Sequence, residues 1–177
     1  MKILMMSGGV LALALGACST MAPDAGDVPS AHVTLAPASG SQVNGELTLV
    51  RMGDGVHVTG QVNGLAPGST HAIHIHEKGD CSAADASSAG GHFNPAGQAH
   101  GKVGTATHHA GDMDNLVANA NGVASVDLHA SGPTLGTGLA TDAIGRAVIV
   151  HAAADDYTSQ PSGNAGARLA CGVIAAR

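Results

Sequence analysis

Glu46-Leu47-Thr48-Leu49-Val50, then Asp54-Gly55, then Val56-His57-Val58-Thr59-Gly60-Gln61-Val62 and Asn63-Gly64 form the stretch that decides the fold. Apolar and polar residues alternate, as on a half-buried strand whose successive side chains point to opposite faces. Asp-Gly and Asn-Gly are hairpin dipeptides, because their residues reach positive φ at little cost. Outward from this stretch the pattern repeats. Ala31-His32-Val33-Thr34-Leu35 precedes it, with Asn44-Gly45 between, and Thr70 to Glu77 follows. After a long interval come Leu116-Val117-Ala118-Asn119, an Asn121-Gly122 turn and Val123 to Leu128. Ala147-Val148-Ile149-Val150 then ends at His151, and Arg168 to Ile174 is the last run. No segment shows a convincing amphipathic helix. The expected fold is all-β, an eight-stranded antiparallel Greek-key barrel or sandwich with two long functional loops.

The start of the chain has a different character. Lys2, the apolar stretch Ile3 to Leu15 and Gly16-Ala17-Cys18 read as a secretory leader too short for a comfortable membrane span. Leu15-Gly16-Ala17-Cys18 resembles the lipobox of bacterial lipoproteins. That resemblance implies a signal peptide at 1–17, cleaved before Cys18, with Cys18 acylated as the first residue of the mature protein. The other reading is a plain secretory peptide with Cys18 incidental. Both export the chain, and the expected location is the periplasm, anchored to a membrane through lipidated Cys18. Residues 18–29 read as a flexible tether, and residues 30–177 as one domain without internal repeats.

Export gives meaning to the remaining cysteines. Cys81 and Cys171 stand far apart and outside any CxxC or CxxH pattern. They read as a disulfide closing a long loop, worth about 4 kcal/mol in the chain-entropy treatment. The formal charge is −6; loss of residues 1–17 removes only Lys2 and leaves −7. With seven Lys and Arg in all, no nucleic-acid footprint is present. One Phe, one Tyr and no Trp predict an aliphatic core. A monomer and a homodimer are equally compatible with the sequence.

Six histidines and one aspartate carry the chemistry: His74, His76, His92, His100, His109, His151 and Asp112. His74 and His76, spaced i, i+2, project from one face of a strand. His92, His100, His109 and Asp112 lie in the aperiodic segment 78–112, and a loop of that length in a compact domain suggests function. Neutral imidazole suits copper and zinc, and a carboxylate favours zinc. Strand-borne His74, His76 and His151 therefore suit copper, while loop-borne His100, His109 and Asp112 suit tetrahedral zinc. His92 could serve both through its two ring nitrogens. The His-x-x-Asp spacing to Asp112 selects His109, with His108 as the alternative. His32, His57 and His129 read as ordinary strand histidines.

Several blocks, in order, resemble the copper,zinc superoxide dismutases. They are His74-Ile75-His76-Glu77 with Gly79-Asp80, Gly91-His92-Phe93-Asn94-Pro95, His109-Ala110-Gly111-Asp112, Val150-His151 with Asp155-Asp156, and Gly163 through Ile174. The resemblance covers roughly residues 30–177. It implies copper on His74, His76, His92 and His151, and zinc on His92, His100, His109 and Asp112, with His92 bridging and taking part in catalysis. It further implies that Asp155 hydrogen-bonds His74 and His100, that Arg168 guides the superoxide anion, and that Cys81 pairs with Cys171. The implied activity is conversion of superoxide to dioxygen and hydrogen peroxide by Cu(II)/Cu(I) cycling. Two departures stand out: Ala72-Ile73 replaces the usual Gly-Phe, and the 152–167 loop contains no lysine. A metal store and a copper-free structural domain are the rival readings; Arg168 argues against the first and four copper donors against the second.

Overall fold

A computed structural model describes residues 29–177. The leader at 1–17, Cys18 and the tether up to residue 28 lie outside the described residues. Ten strands form among the described residues: β1 (Ser30–Pro37), β2 (Asn44–Met52), β3 (Gly55–Asn63), β4 (Thr70–His71), β5 (Ile73–His76), β6 (Leu116–Val117), β7 (Ala124–Ser131), β8 (Ala147–His151), β9 (Arg168–Val173) and β10 (Ala175–Ala176). One antiparallel sheet runs β5-β8-β9-β1-β2-β3-β7, and β10 pairs with β1. β4 and β6 form a small second sheet. The connections from β3 to β5 and from β7 to β8 cross between the ends of the large sheet, which is the Greek-key arrangement of an all-β barrel.

The strand expected from Thr70 to Glu77 divides at Ala72. His71 pairs with Leu116 of β6, whereas Ile73 pairs with Val150 of β8. Between them the Ala72 N–H donates to the Ala153 carbonyl at 2.8 Å, and the Ala72 carbonyl accepts from the His151 N–H at 2.9 Å. The chain changes partners there, as strands do where they turn a corner between sheets. This division and the short β10 account for ten strands where eight were expected.

Period-2 alternation sets the core. Val33, Leu35, Leu47, Leu49, Val56 and Val58 point inward and are buried, each contributing about 1.5–3 kcal/mol when fully buried. Ile73 and Ile75 of β5, with Val148 and Val150 of β8, face the same aliphatic core. Their alternates face outward: His74 and His76 on β5, and Ala147, Ile149 and His151 on β8. All of β5 and β8 is nevertheless buried. The outer face of this wall is covered by the 77–115 and 152–167 connections, and the functional side chains lie between wall and cover. Ala38, Ala86, Ala89, Ala147, Ile149 and Cys171 form a second, small apolar cluster there.

Candidate metal centre

β5 would be an open sheet edge, but the long connection pairs with it. The Phe93 N–H donates to the Ile75 carbonyl at 2.8 Å, the Ile75 N–H to the Gly111 carbonyl at 2.9 Å, and the Glu77 N–H to the Gly91 carbonyl at 2.9 Å. These bonds place His92 beside His76 and bring His109 and Asp112 to the far side of His92. Position 111 has to be glycine, since a Cβ there would sit 2.2 Å from the Ile75 carbonyl oxygen. At the opposite edge of the site, a register shift after Val150 sets His151 against Arg168 of β9.

Two donor clusters result: His74, His76, His92 and His151, and His92, His100, His109 and Asp112. His92 belongs to both. His108 belongs to neither, since its Nδ1 faces the His109 carbonyl at 2.8 Å. In the first cluster His76 Nδ1 donates to the Gly90 carbonyl (3.0 Å) and His151 Nδ1 faces the Gly166 carbonyl (3.4 Å). Those contacts leave lone pairs on both Nε2 atoms, which nevertheless approach to 3.3 Å. Two lone pairs at that distance repel unless a cation lies between them. Nitrogens bound at ~2.0–2.1 Å to a common ion stand about 2.9–4.1 Å apart for angles from 90° to 180°, so the spacing fits. His74 Nε2 donates to Asp155 Oδ2 at 2.8 Å, and its Nδ1 is buried without a partner, as is His92 Nε2. Buried polar nitrogens without a partner are costly; these two belong to residues of the cluster.

The second cluster has the dimensions of a tetrahedral ion site. His92 Nδ1 lies 2.9 Å from Asp112 Oδ1 and 3.3 Å from His109 Nδ1. His109 Nδ1 is 3.4 Å from Asp112 Oδ1, and His100 Nδ1 is 3.1 Å from Asp112 Oδ2. A tetrahedron with legs of ~2.0–2.1 Å has edges of about 3.3 Å. His100 Nε2 donates to Asp155 Oδ1 at 2.9 Å, so one carboxylate joins a residue of each cluster and fixes both tautomers.

Electrostatics prepare these groups for a cation. Burial, and after it the neighbouring imidazoles, push His76 down to about 2 and His151 down to about 3. Burial also takes His92 to about 4, against the opposing hydrogen bond to Asp112. For Asp112, burial would raise the carboxyl, but hydrogen bonds with His109 and His92 outweigh it and hold the group well below the carboxylate range. Asp155 is held down in the same way by His74 and His100. Neutral imidazoles and ionised carboxylates are the forms that bind metal.

A cavity of about 480 Å³ opens onto this centre, lined by His76, His92, His151, Pro161, Ser162 and Arg168, among others. Arg168 supplies its positive charge. Nη1 and Nη2 donate to the Ala86 and Gly90 carbonyls at 2.6 and 2.7 Å, so the guanidinium is held by the loop opposite. The Cys81–Cys171 disulfide ties that loop to β9. Lys102, in contrast, is engaged by Asp114 at 3.6 Å and lies over the Tyr157 ring. His57 and His129 pair with Asp127 and Asp54 on the outer sheet face. Sequence reading missed three supports: the Gly90 carbonyl shared by His76 and Arg168, Asn115 against Asp155, and Gln160 against His100. None has a local sequence signal.

An antiparallel Greek-key barrel with two adjoining His-rich donor clusters and one shared imidazole defines the class: a β-barrel protein built for two transition-metal ions. Residues 43–174 match the family described as copper/zinc superoxide dismutase, and the chain belongs to that family. It is 40% identical over 147 residues to superoxide dismutase [Cu-Zn] 2 of Aquifex aeolicus, covering 81% of this chain and 85% of that protein. It is also 40% identical over 135 residues to the superoxide dismutase [Cu-Zn] of Caulobacter vibrioides, covering 73% and 77%. The crystal structure of a superoxide dismutase-like protein from Bacillus subtilis superposes with a TM-score of 0.72 at 39% identity, over 80% of this chain and 96% of that one. Copper and zinc are therefore its cofactors, and the chain is an oxidoreductase acting on superoxide.

Proposed function

We propose that the chain converts superoxide to dioxygen and hydrogen peroxide, with copper held by His74, His76, His92 and His151 and zinc by His92, His100, His109 and Asp112. The observation that carries this reading is His92, the one residue common to both donor clusters, lining the same cavity as Arg168. When bound, copper supplies one-electron cycling between Cu(II) and Cu(I), and zinc supplies a redox-inert charge that orders the loop.

The protein's own residues do the rest. Arg168 attracts a small anion and orients it with the N–H groups not spent on Ala86 and Gly90. The balance is two superoxide anions and two protons to one dioxygen and one peroxide. His92 would carry one of those protons: its Nδ1 faces Asp112 and His109, and its Nε2, buried without a partner, would take up a proton in one half-reaction and give it to peroxide in the other. The open cavity admits solvent for the second proton. Asp155 holds the His74 and His100 rings by Nε2, in the tautomers whose Nδ1 lone pairs would hold the metals.

The mature protein works in the periplasm in this reading, anchored through acylated Cys18. No helix among the described residues is long and apolar enough to cross a membrane; what supports the lipid anchor in this reading is Leu15-Gly16-Ala17-Cys18. Metal content and dismutation measured on one preparation test the function. One copper and one zinc per chain with catalytic turnover are expected; both metals bound without turnover would leave a metal store.

A further inference from the structure

The 152–167 connection forms one wall of the cavity through Pro161 and Ser162, yet it carries none of the metal donors. Two side-chain amides fasten it. Asn115 Nδ2 donates to the Asp155 carbonyl at 3.0 Å, and its Oδ1 accepts from the Asp155 N–H at 2.8 Å. In the reverse sense, Gln160 Nε2 donates to the His100 carbonyl at 2.9 Å, and its Oε1 accepts from the His100 N–H at 2.8 Å. Each connection thus contributes one amide that pairs with the other's backbone as a strand would.

His100 is gripped on every side. Its backbone N–H and C=O belong to Gln160, its Nε2 to Asp155 at 2.9 Å, and its Nδ1 is buried 3.1 Å from Asp112 Oδ2 without forming a hydrogen bond. The contact has no slack. A Cβ at Gly163, three residues beyond Gln160, would lie 1.8 Å from Asp155 Oδ1 and 2.8 Å from His100 Nε2. The loop therefore rests directly on the Asp155–His100 bond, and Pro161 and Ser162 sit between that seat and Gln160.

We propose that Gln160 is a positioning residue that couples His100 to the cavity wall, so that zinc binding sets the wall's place over the copper donors. The proposal rests on the reading of His100 as a zinc ligand. An ion on His100 Nδ1 fixes the ring, and the paired amide passes that constraint along the backbone to residues 161 and 162. Losing Gln160 leaves the His100 N–H and C=O unpaired beneath the loop. The ion and the loop then no longer support one another: zinc meets a His100 that is held less firmly, and its binding leaves residues 161 and 162 unfixed.

The test uses the full exported chain as wild type, Gln160→Met, Gln160→Ala and His100→Ala. Methionine has nearly the length and volume of glutamine but cannot reproduce the two-point pairing. The first readout is the chelator concentration that strips half the zinc. It should fall about tenfold in both Gln160 variants, the scale on which outer-shell partners of metal ligands act, and His100→Ala should keep no zinc. The second readout is amide hydrogen exchange of residues 158–166 with and without saturating zinc. Wild type should gain protection there on zinc binding; Gln160→Met should not, while residues 107–112 remain protected in both. A space-filling role would leave Gln160→Met like wild type in both readouts and would overturn the proposal. So would a variant that is equally destabilised with and without zinc while zinc-induced protection persists. If His100→Ala holds zinc like wild type, the ligand reading fails and the proposal with it. Zinc lost from His100→Ala but unchanged in both Gln160 variants sinks the proposal alone.

Discussion

Replacing Cys81 and Cys171 together by alanine should cost from about a third to nearly all of the margin by which this domain is folded. The disulfide spans a sequence separation of 90 residues. Closing a loop of that size removes roughly 15–16 cal/mol/K from the unfolded chain in the entropy treatment, about 4.6 kcal/mol at 25 °C. A domain of this size has only about 5–15 kcal/mol in total. At about 2–4 °C per kcal/mol for this length, the melting temperature of the metal-free protein should fall by roughly 10–18 °C. The loss is also local. Cys171 is buried among Ala38, Ala86, Ala89, Ala147 and Ile149, and the loop anchored there presents the carbonyls of Ala86 and Gly90 to Arg168. Gly90 accepts from His76 as well. Scanning calorimetry of the metal-free and metal-loaded variant measures the first effect, and kcat/KM with superoxide the second. A melting shift below about 3 °C, with kcat/KM unchanged, would refute both the entropy argument and the view that this loop holds Arg168 in place.

Further outcomes are expected. His151→Ala should lose copper and activity while zinc stays, since His151 belongs to the first donor cluster alone; metal analysis decides it, and unchanged copper removes His151 from the ligand set. Arg168→Ala should lower kcat/KM by about tenfold or more and flatten its ionic-strength dependence, because steering by charge is screened by salt. A salt profile identical to wild type places the steering elsewhere. The metal-free protein should weaken as pH falls. Burial holds His76, His92 and His151 at about 2, 4 and 3, whereas the unfolded chain takes up protons near 6.5. Their folded pKa values are depressed, so stability drops below pH 6.5, by about 1 kcal/mol per histidine between pH 7 and 5.5. Urea midpoints at the two values measure it, and equal midpoints mean these rings are not held neutral.

Much of this was legible in the chain, for local reasons. Leu47, Leu49, Val56 and Val58 announce their strands because a strand repeats every two residues, and His74 and His76 share a face by the same rule. His92, His100, His109 and Asp112 could be picked from an aperiodic segment because few residue types bind metal. Other features have no such pattern. The break at Ala72 arises from a change of hydrogen-bond partner between β6 and β8, both distant in sequence. The Gly90 and Gly166 carbonyls that free the Nε2 atoms of His76 and His151 are backbone groups, present at every position and made specific only by where they lie.

By itself, then, the sequence determined the strand pattern, the inward and outward faces and the chemical character of the donors, since each follows from period or side-chain type. Only the tertiary structure decided which nitrogen of each histidine faces inward, that His92 stands within both clusters, and that Gln160 clasps His100 from sixty residues away. Those are matters of distance between remote parts of the chain, and they are set when the two long connections close over the outer wall of the barrel.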